Sequence, residues 1–226
     1  MTHPDEKEPI PVFITVRTAS TRLHAKWSLK LGDCNVLEHV IRRCLVFGFA
    51  PIVCTPQEHD GKLAAIARNE DVDYFPGDNE PKRRWLQCAD HFDIYSFHAL
   101  DCDDPYFDPL EIERSFSYLQ DLNLHCVLQT KSSEKHALGM MGISMSLRPG
   151  ETRNLPERRV EESQIRLTLD YPEDYWLLST IARFAPIDAS REDIEDVCRL
   201  SLTEINFFRD KEWKERQLAE RSGRTV

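Results

Sequence analysis

Pro11-Val12-Phe13-Ile14-Thr15-Val16-Arg17-Thr18-Ala19-Ser20-Thr21-Arg22-Leu23-His24-Ala25-Lys26 is the stretch on which the fold turns. Phe13–Val16 is short, apolar and partly β-branched, as an interior strand requires. The ten residues from Arg17 to Lys26 are rich in arginine, serine and threonine, and Val36, Leu37, Val40, Ile41, Cys44 and Leu45 then recur at helical spacing. A buried strand, a long polar loop and an amphipathic helix make one α/β unit.

The pattern repeats outward from there. Ile52–Cys54 reads as a second strand, with Leu63, Ala64 and Ile66 starting the apolar side of a helix. Val72–Phe75 reads as a third strand, closed by the turn signal Pro76-Gly77. A helix over 81–91 tolerates Pro81 in its first turn. Ile94–Leu100 is the fourth expected strand and Pro109–Leu122 the next helix. Further on, His125–Gln129, Gly142–Leu147 and Ile165–Leu169 are expected strands. Pro149–Glu162 is an expected surface loop or subunit-contacting arm, and Pro172–Phe184, 190–200 and 203–218 are expected helices. This alternation predicts a three-layer α/β domain with a mainly parallel sheet, over 11–218. Residues 1–10 are expected to be a disordered lead-in and 219–226 a flexible tail.

Composition narrows the classes. At 226 residues and 26.3 kDa, with 41% hydrophobic residues, one substantial core is affordable. No apolar run approaches a membrane span, and the acidic, proline-bearing start does not resemble a secretory signal. A formal charge of -10 argues against broad affinity for nucleic acid or anionic membrane. The seven cysteines include no close CxxC pair, which suits reduced core thiols in a cytoplasmic protein.

Three features carry chemistry. After the first strand, Arg17, Ser20, Thr21, Arg22 and Lys26 supply cations and hydroxyls of the kind that neutralise and orient a triphosphate. Open α/β sheets place ligands at this edge. The loop has no glycine, so it is neither a Walker A loop nor a dinucleotide fingerprint, and a solvated basic loop is the plain alternative. The fourth strand runs into Asp101-Cys102-Asp103-Asp104-Pro105, and Ile165–Leu169 runs into Asp170. Asp103 and Asp170 are candidate Mg²⁺ ligands, since that ion takes one or two carboxylates plus substrate phosphates. Helix capping is the competing role, and it suits Asp108 and Asp174 well. Gly77 and Asp78, after the third strand, are candidates to approach the nucleotide. Lys82, Arg83 and Arg84 oppose the helix dipole, which anion binding or a merely exposed basic patch would explain. Met140 and Met141 are candidates for a pliable substrate wall. The histidines His24, His98, His125 and His136 show no metal-ligand spacing, and no serine or cysteine sits in a nucleophile motif.

The chain resembles the cytidylyltransferase family that makes CMP-activated acidic sugars, CMP-Kdo and CMP-acylneuraminate. Within it, the branch named for spore coat polysaccharide biosynthesis proteins of the SpsF type is most similar. Val16 through Lys26 resembles that family's nucleotide loop, A-R-x-x-S-x-R-L-P-x-K, and Leu37-Glu38-His39-Val40-Ile41 its following helix. Asp103-Asp104-Pro105-Tyr106-Phe107-Asp108-Pro109 is similar to D-x-P-L-I-D-P, and Arg166-Leu167-Thr168-Leu169-Asp170-Tyr171-Pro172-Glu173-Asp174 to R-L-T-V-D-T-P-E-D. The departures are His24 and Ala25 for the loop proline and glycine, Cys102 for a glycine, and Ala99 for an arginine.

The resemblance implies a Rossmann-like nucleotidyltransferase fold and a reaction in which CTP and a sugar give a CMP-sugar and pyrophosphate. It also implies phosphate binding by Arg17, Arg22 and Lys26, Mg²⁺ on Asp103 and Asp170, and a homodimer built with the 125–162 segment. Another nucleotide or phosphorylated substrate, or a non-catalytic nucleotide-binding component of a glycan pathway, remains compatible with the same residues.

Overall fold

The computed structural model of the protein describes residues 8–17, 22–57, 61–129, 142–157, 165–199 and 209–221. Its elements are β1 (Pro11–Thr15), β2 (Lys30–Leu31), β3 (Cys34–Asn35), α1 (Val36–Val46), β4 (Ala50–Pro56), α2 (Lys62–Asn69), β5 (Asp73–Gly77) and α3 (Pro81–His91). There follow β6 (Ser96–Asp101), α4 (Pro109–Asp121), β7 (Cys126–Leu128), β8 (Gly142–Ser146) and β9 (Thr152–Asn154). The described residues end with α5 (Pro172–Ile181), α6 (Arg191–Arg199) and α7 (Arg209–Arg221).

The main sheet runs β5-β4-β1-β6-β8-β7-β9. β1 pairs in parallel with β4 and β6, and β4 with β5, while β8 lies antiparallel between β6 and β7. The sequence order therefore reverses at β1: the chain leaves it toward β4 and later returns on its other side as β6. Open α/β sheets form their ligand crevice at such a point, outside the carboxyl ends of the strands.

Alternate residues of β1 face two layers. Val12, Ile14 and Val16 join Leu100 and the apolar faces of α1, α5 and α6 in one buried cluster. Phe13 joins Ile52, Cys54, Phe97, Ala99 and Cys88 of α3 on the other side, with the Phe13 and Phe97 rings stacked 4.2 Å apart. Burial on both faces explains why the strand reads as a continuous apolar run.

Helix starts follow from short-range chemistry. Asn35 and Glu38 form a reciprocal capping box on α1, and Asp108 caps α4 by accepting from the Leu110 N–H at 3.0 Å. Arg43 of α1 is fully buried and donates to the carbonyls of Phe107, Ile187 and Ala189 at 2.6–3.2 Å. One guanidinium thus ties α1 to the loop before α4 and to the turn before α6.

The expected strand Ile165–Leu169 is corrected: the segment is buried, but it forms no ladder. Its recorded main-chain link to the loop after β6 is the Leu169 N–H donating to the Asp103 carbonyl at 2.7 Å. Apolar alternation marked its burial, and burial does not require pairing in a ladder. The expected loop at 149–162 contains β9, parallel to β7. The β2–β3 hairpin, turned by Gly32 at φ 63°, also went unforeseen. The final helix, expected over 203–218, is described from Arg209 and runs through Arg221, into the span expected to be a tail. Residues 1–7, 201–208 and 222–226 lie outside the described residues.

Two outcomes test this packing. Arg43→Met leaves two buried carbonyls and a partly buried one without their donor and should lower unfolding free energy by roughly 3–5 kcal/mol, measured by denaturant titration. His98 is fully buried, donating or accepting through Nδ1 at the Ser144 hydroxyl, and desolvation pushes its pKa down from 6.5 to about 3. Below pH 6.5 the unfolded chain therefore takes up a proton that the folded chain refuses. Stability present above that pH is lost as pH falls toward 3, by up to about 1.4 kcal/mol per pH unit. His98→Gln should flatten the wild-type curve by that slope between pH 6 and 4.

Candidate active site

The end of β1 is held open by side chains from its neighbours. The Trp85 indole N–H of α3 donates to the Thr15 hydroxyl at 2.8 Å, and the Val16 N–H donates to the Cys54 carbonyl at 3.0 Å. The chain then enters the basic loop, of which Ser20 and Thr21 lie outside the described residues. At its far end Ala25 takes a left-handed conformation, φ 45° and ψ 43°, and its carbonyl accepts from both the backbone N–H and the hydroxyl of Ser28 at 2.9 Å. That turn starts a short 3₁₀ segment, Lys26–Ser28, and sends Lys26 inward.

Lys26 is 9% exposed, and its Nζ lies 3.0 Å from Asp103 Oδ2 and 2.5 Å from Asp170 Oδ1. Arg17 reaches the same Asp103 oxygen at 3.3 Å and Asp101 at 4.0 Å, while Arg22 reaches Asp170 Oδ1 at 2.9 Å. Five of the residues expected at the site, Arg17, Arg22, Lys26, Asp103 and Asp170, therefore meet in one ionic cluster at the carboxyl ends of β1 and β6.

Supports for the cluster come from residues to which the sequence reading gave no place in the site. Arg166 donates to Asp170 Oδ2 at 3.2 Å and to Asp174 Oδ1 at 3.1 Å. Asp174 also accepts the N–H groups of Asp170 and Tyr171, each at 2.7 Å, which fixes the turn that presents Asp170. Asp104 is buried and accepts from the Thr168 hydroxyl at 3.0 Å. Asp101, the last residue of β6, completes a group with Asp103 and Asp104 whose ligand oxygens lie within 4.8 Å of one another. Its position at a strand end was a usable signal. Arg166 was hidden because a lone arginine in an apolar run gives no hint of its partner.

The charges are strongly coupled. Burial opposes ionisation of Asp103, but Lys26 and Arg17 outweigh it and hold the carboxyl below its usual range. Burial also works against Lys26, and Asp103 and Asp170 reverse it, raising the ammonium pKa. Asp104, desolvated and beside Asp103 and Asp101, is pushed well up and retains its proton more readily. Asp101 is pushed up to about 6 by desolvation and the Asp103 charge. Neighbouring carboxylates with divergent proton affinities are what a shared site produces.

Gly77 and Asp78 belong to a different structure, the turn from β5 into α3. Among the described residues, no hydrogen bond or ion pair joins them to the cluster. Asp78 accepts from the Glu80 N–H at 2.8 Å, and its own N–H donates to Gln87 at 2.8 Å. Glu80 caps α3 by accepting from the Lys82 and Arg83 N–H groups. Arg84 is buried and donates to the Asp78 carbonyl at 2.7 Å. Its place at the helix start is thus explained by tying this turn, not by an exposed basic patch. A Cβ on Gly77 would come within 2.9 Å of the Arg84 side chain, which accounts for the glycine. Met140 and Met141 lie outside the described residues.

The donor set suits a small hard cation: carboxylate oxygens dominate, with no thiolate or imidazole among the clustered ligands. Asp103 and Asp170 already share one positive charge, the Lys26 ammonium, so a divalent ion would compete with it for the same oxygens.

No protein-family model matches the chain, and no curated protein matches it. Among solved structures it is similar to a cytidylyltransferase from Leptospira borgpetersenii serovar Hardjo-bovis (strain JB197), with 23% identity and a TM-score of 0.74 over 88% of this chain and 98% of that one. It is also similar to 4-diphosphocytidyl-2C-methyl-D-erythritol synthase from Anaerococcus prevotii DSM 20548, with 10% identity and a TM-score of 0.54 over 78% and 99% of the two chains. A third likeness is to the Mycobacterium tuberculosis rv0371c homolog from Mycobacterium sp. strain JC1, with 14% identity and a TM-score of 0.54 over 85% and 98%. With its mainly parallel seven-stranded sheet flanked by helices, this chain has the Rossmann-like α/β fold of the nucleotidyltransferases.

Proposed function

We propose that the chain is a CTP-dependent nucleotidyltransferase that joins CMP to an acidic sugar of the ulosonate or nonulosonate type and releases pyrophosphate. The supporting observation is the Lys26 ammonium shared by Asp103 and Asp170, flanked by Arg17 and Arg22, at the point where the strand order reverses. The motifs that resemble those of SpsF-type cytidylyltransferases support the same reading, which includes a role in surface-glycan synthesis for a cytoplasmic homodimer.

In this reading the sugar hydroxyl oxygen attacks the α-phosphorus, the bond to the bridging oxygen breaks, and pyrophosphate leaves with the electron pair. The hydroxyl proton passes to solvent. Arg17, Arg22 and Lys26 bind the phosphates: a triphosphate offers these cations more negative charge than the carboxylates they now neutralise. Asp103 and Asp170, released from Lys26, would hold Mg²⁺, with Asp101 beside them. When bound, that ion supplies positive charge at the α-phosphate and lowers the pKa of an oxygen it coordinates. Arg166 and Asp174 keep Asp170 aimed into the crevice whatever occupies it. The remaining contribution is alignment of nucleophile and leaving group, which alone is worth several orders of magnitude in rate.

The full chain, given CTP, Mg²⁺ and a panel of acidic sugars, should release pyrophosphate and lose that turnover with EDTA. Folded Asp103→Asn should lower kcat at least ~100-fold, because a charge stabilising the transition state is removed. Arg22→Ala and Lys26→Met should in addition weaken CTP binding by roughly tenfold, about 1.4 kcal/mol. Full turnover in Asp103→Asn, or wild-type protein with no affinity for CTP, would rule the reading out.

A further inference from the structure

Tyr171 follows Asp170 directly and is 5% exposed. Three guanidinium groups approach its ring: Arg209 with Cζ 4.5 Å from the centroid, Arg22 at 5.3 Å and Arg166 at 5.8 Å. Their mutual repulsion is relieved by carboxylates on the same turn and on α7. Asp170 takes Arg22 and Arg166, Asp174 takes Arg166, and Arg209 pairs with Glu173 at 3.3 Å and with Glu212 at 2.6 Å. Burial opposes ionisation of Arg22, yet Asp170 and the Tyr171 hydroxyl raise its pKa.

We infer that Arg209, the first described residue of α7, is a positioning residue for the nucleotide site, acting through the Tyr171 ring on Arg22. This inference rests on the cytidylyltransferase reading. Arg22 lies in a loop, on a long side chain with many rotamers, and Asp170 is the carboxylate that now orients it. A phosphate that draws Arg22 away from Asp170 removes that restraint. The face of Tyr171 then remains, because a ring attracts a guanidinium without competing for its N–H donors. The ring is useful as a guide only if it is itself fixed. Arg209 covers it at the shortest distance of the three cations and is anchored at both ends of its contact, to Glu173 on the Asp170 turn and to Glu212 one turn along α7. The Tyr171 side chain thereby lies between α7 and the phosphate loop. The motif this turn resembles carries threonine at the position of Tyr171, and threonine offers no such face.

The test uses the full chain and two variants, Arg209→Met, which keeps the stem and removes the charge, and Arg209→Lys, which keeps a cation. The Arg22 side-chain Nε–H resonance is followed in ¹⁵N-arginine-labelled protein without ligand and assigned by its loss in Arg22→Lys. CTP binding with Mg²⁺ is measured by calorimetry, and KM and kcat in the pyrophosphate assay. Arg209→Met is expected to shift the Arg22 resonance, raise the Kd and KM for CTP three- to tenfold and leave kcat within twofold. Arg209→Lys should recover most of the lost affinity. A helix that only stabilises the fold would lower Tm without moving KM or the Arg22 signal, and that result overturns the inference, as does an unmoved Arg22 resonance. If the wild-type chain binds no CTP, the cytidylyltransferase reading fails, and the Arg22 resonance alone then decides the Arg209–Tyr171–Arg22 contact.

Discussion

The Lys26 ammonium between Asp103 and Asp170 is the interaction on which this end of the molecule depends. Two carboxylates from segments far apart in the chain converge where water is largely excluded. Without a cation between them, one would have to take up a proton or withdraw. Arg17, Arg22 and Arg166 extend the same balance outward to Asp101 and Asp174. Such an arrangement is poorly explained by stability, since desolvating charges costs as much as pairing them returns, and apolar replacements often serve a fold as well or better. Under the proposed function, the cluster is a place where charges are exchanged, with the Lys26 ammonium standing where phosphate and a divalent ion would compete.

The sheet makes that convergence possible. Because β4 and β6 flank β1, the strand order reverses there, which is the point where open α/β sheets place their ligands. The Cys102 N–H donates to the Thr15 carbonyl at 2.9 Å, which carries the β1–β6 register one step past Asp101 and aims the acidic loop across the β1 terminus. Leu169 extends the arrangement by donating to the Asp103 carbonyl. Asp103 and Asp170 are thus linked through backbone before any side chain is considered.

The layered architecture was legible because β1, β4 and β6 are buried on both faces and their apolar runs end at turn residues. Placing Asp170 after an apolar segment put it at the correct edge even though that segment is not a strand. Burial shows in composition, whereas pairing depends on which edges remain free after the rest of the sheet has formed. The same distinction explains Gly77 and Arg84. A glycine beside an acidic residue after a strand resembles a ligand loop, and the structure adds a packing reason for it, the Phe75 and Arg84 side chains that a Cβ would meet. Arg166 and Tyr171 were legible only as members of a quoted motif. Their partners lie on the adjoining turn and, for Tyr171, on α7.

The departures from the family pattern can be weighed in the same terms. Glycine before the loop lysine is the ordinary way to reach a left-handed backbone, and Ala25 reaches it at φ 45° despite a cost of roughly 1–2 kcal/mol for a residue with a Cβ. Two donations from Ser28 to its carbonyl offset part of that cost and hold the turn closed. The path of the chain into Lys26 therefore matches what the motif demands, although the residue that usually permits it is gone. Cys102 and Ala99 are buried, at 5% and 4% exposure, in the two core clusters on opposite sides of the sheet. An arginine in place of Ala99 would bring a charge into a cluster built from Phe13, Ile52 and Phe97. On that side Arg84, from α3, already lies within electrostatic reach of Asp101. Cys102 and Ala99 thus belong to the two core layers, and the backbone turn that carries Lys26 inward forms with Ala25 in place of glycine.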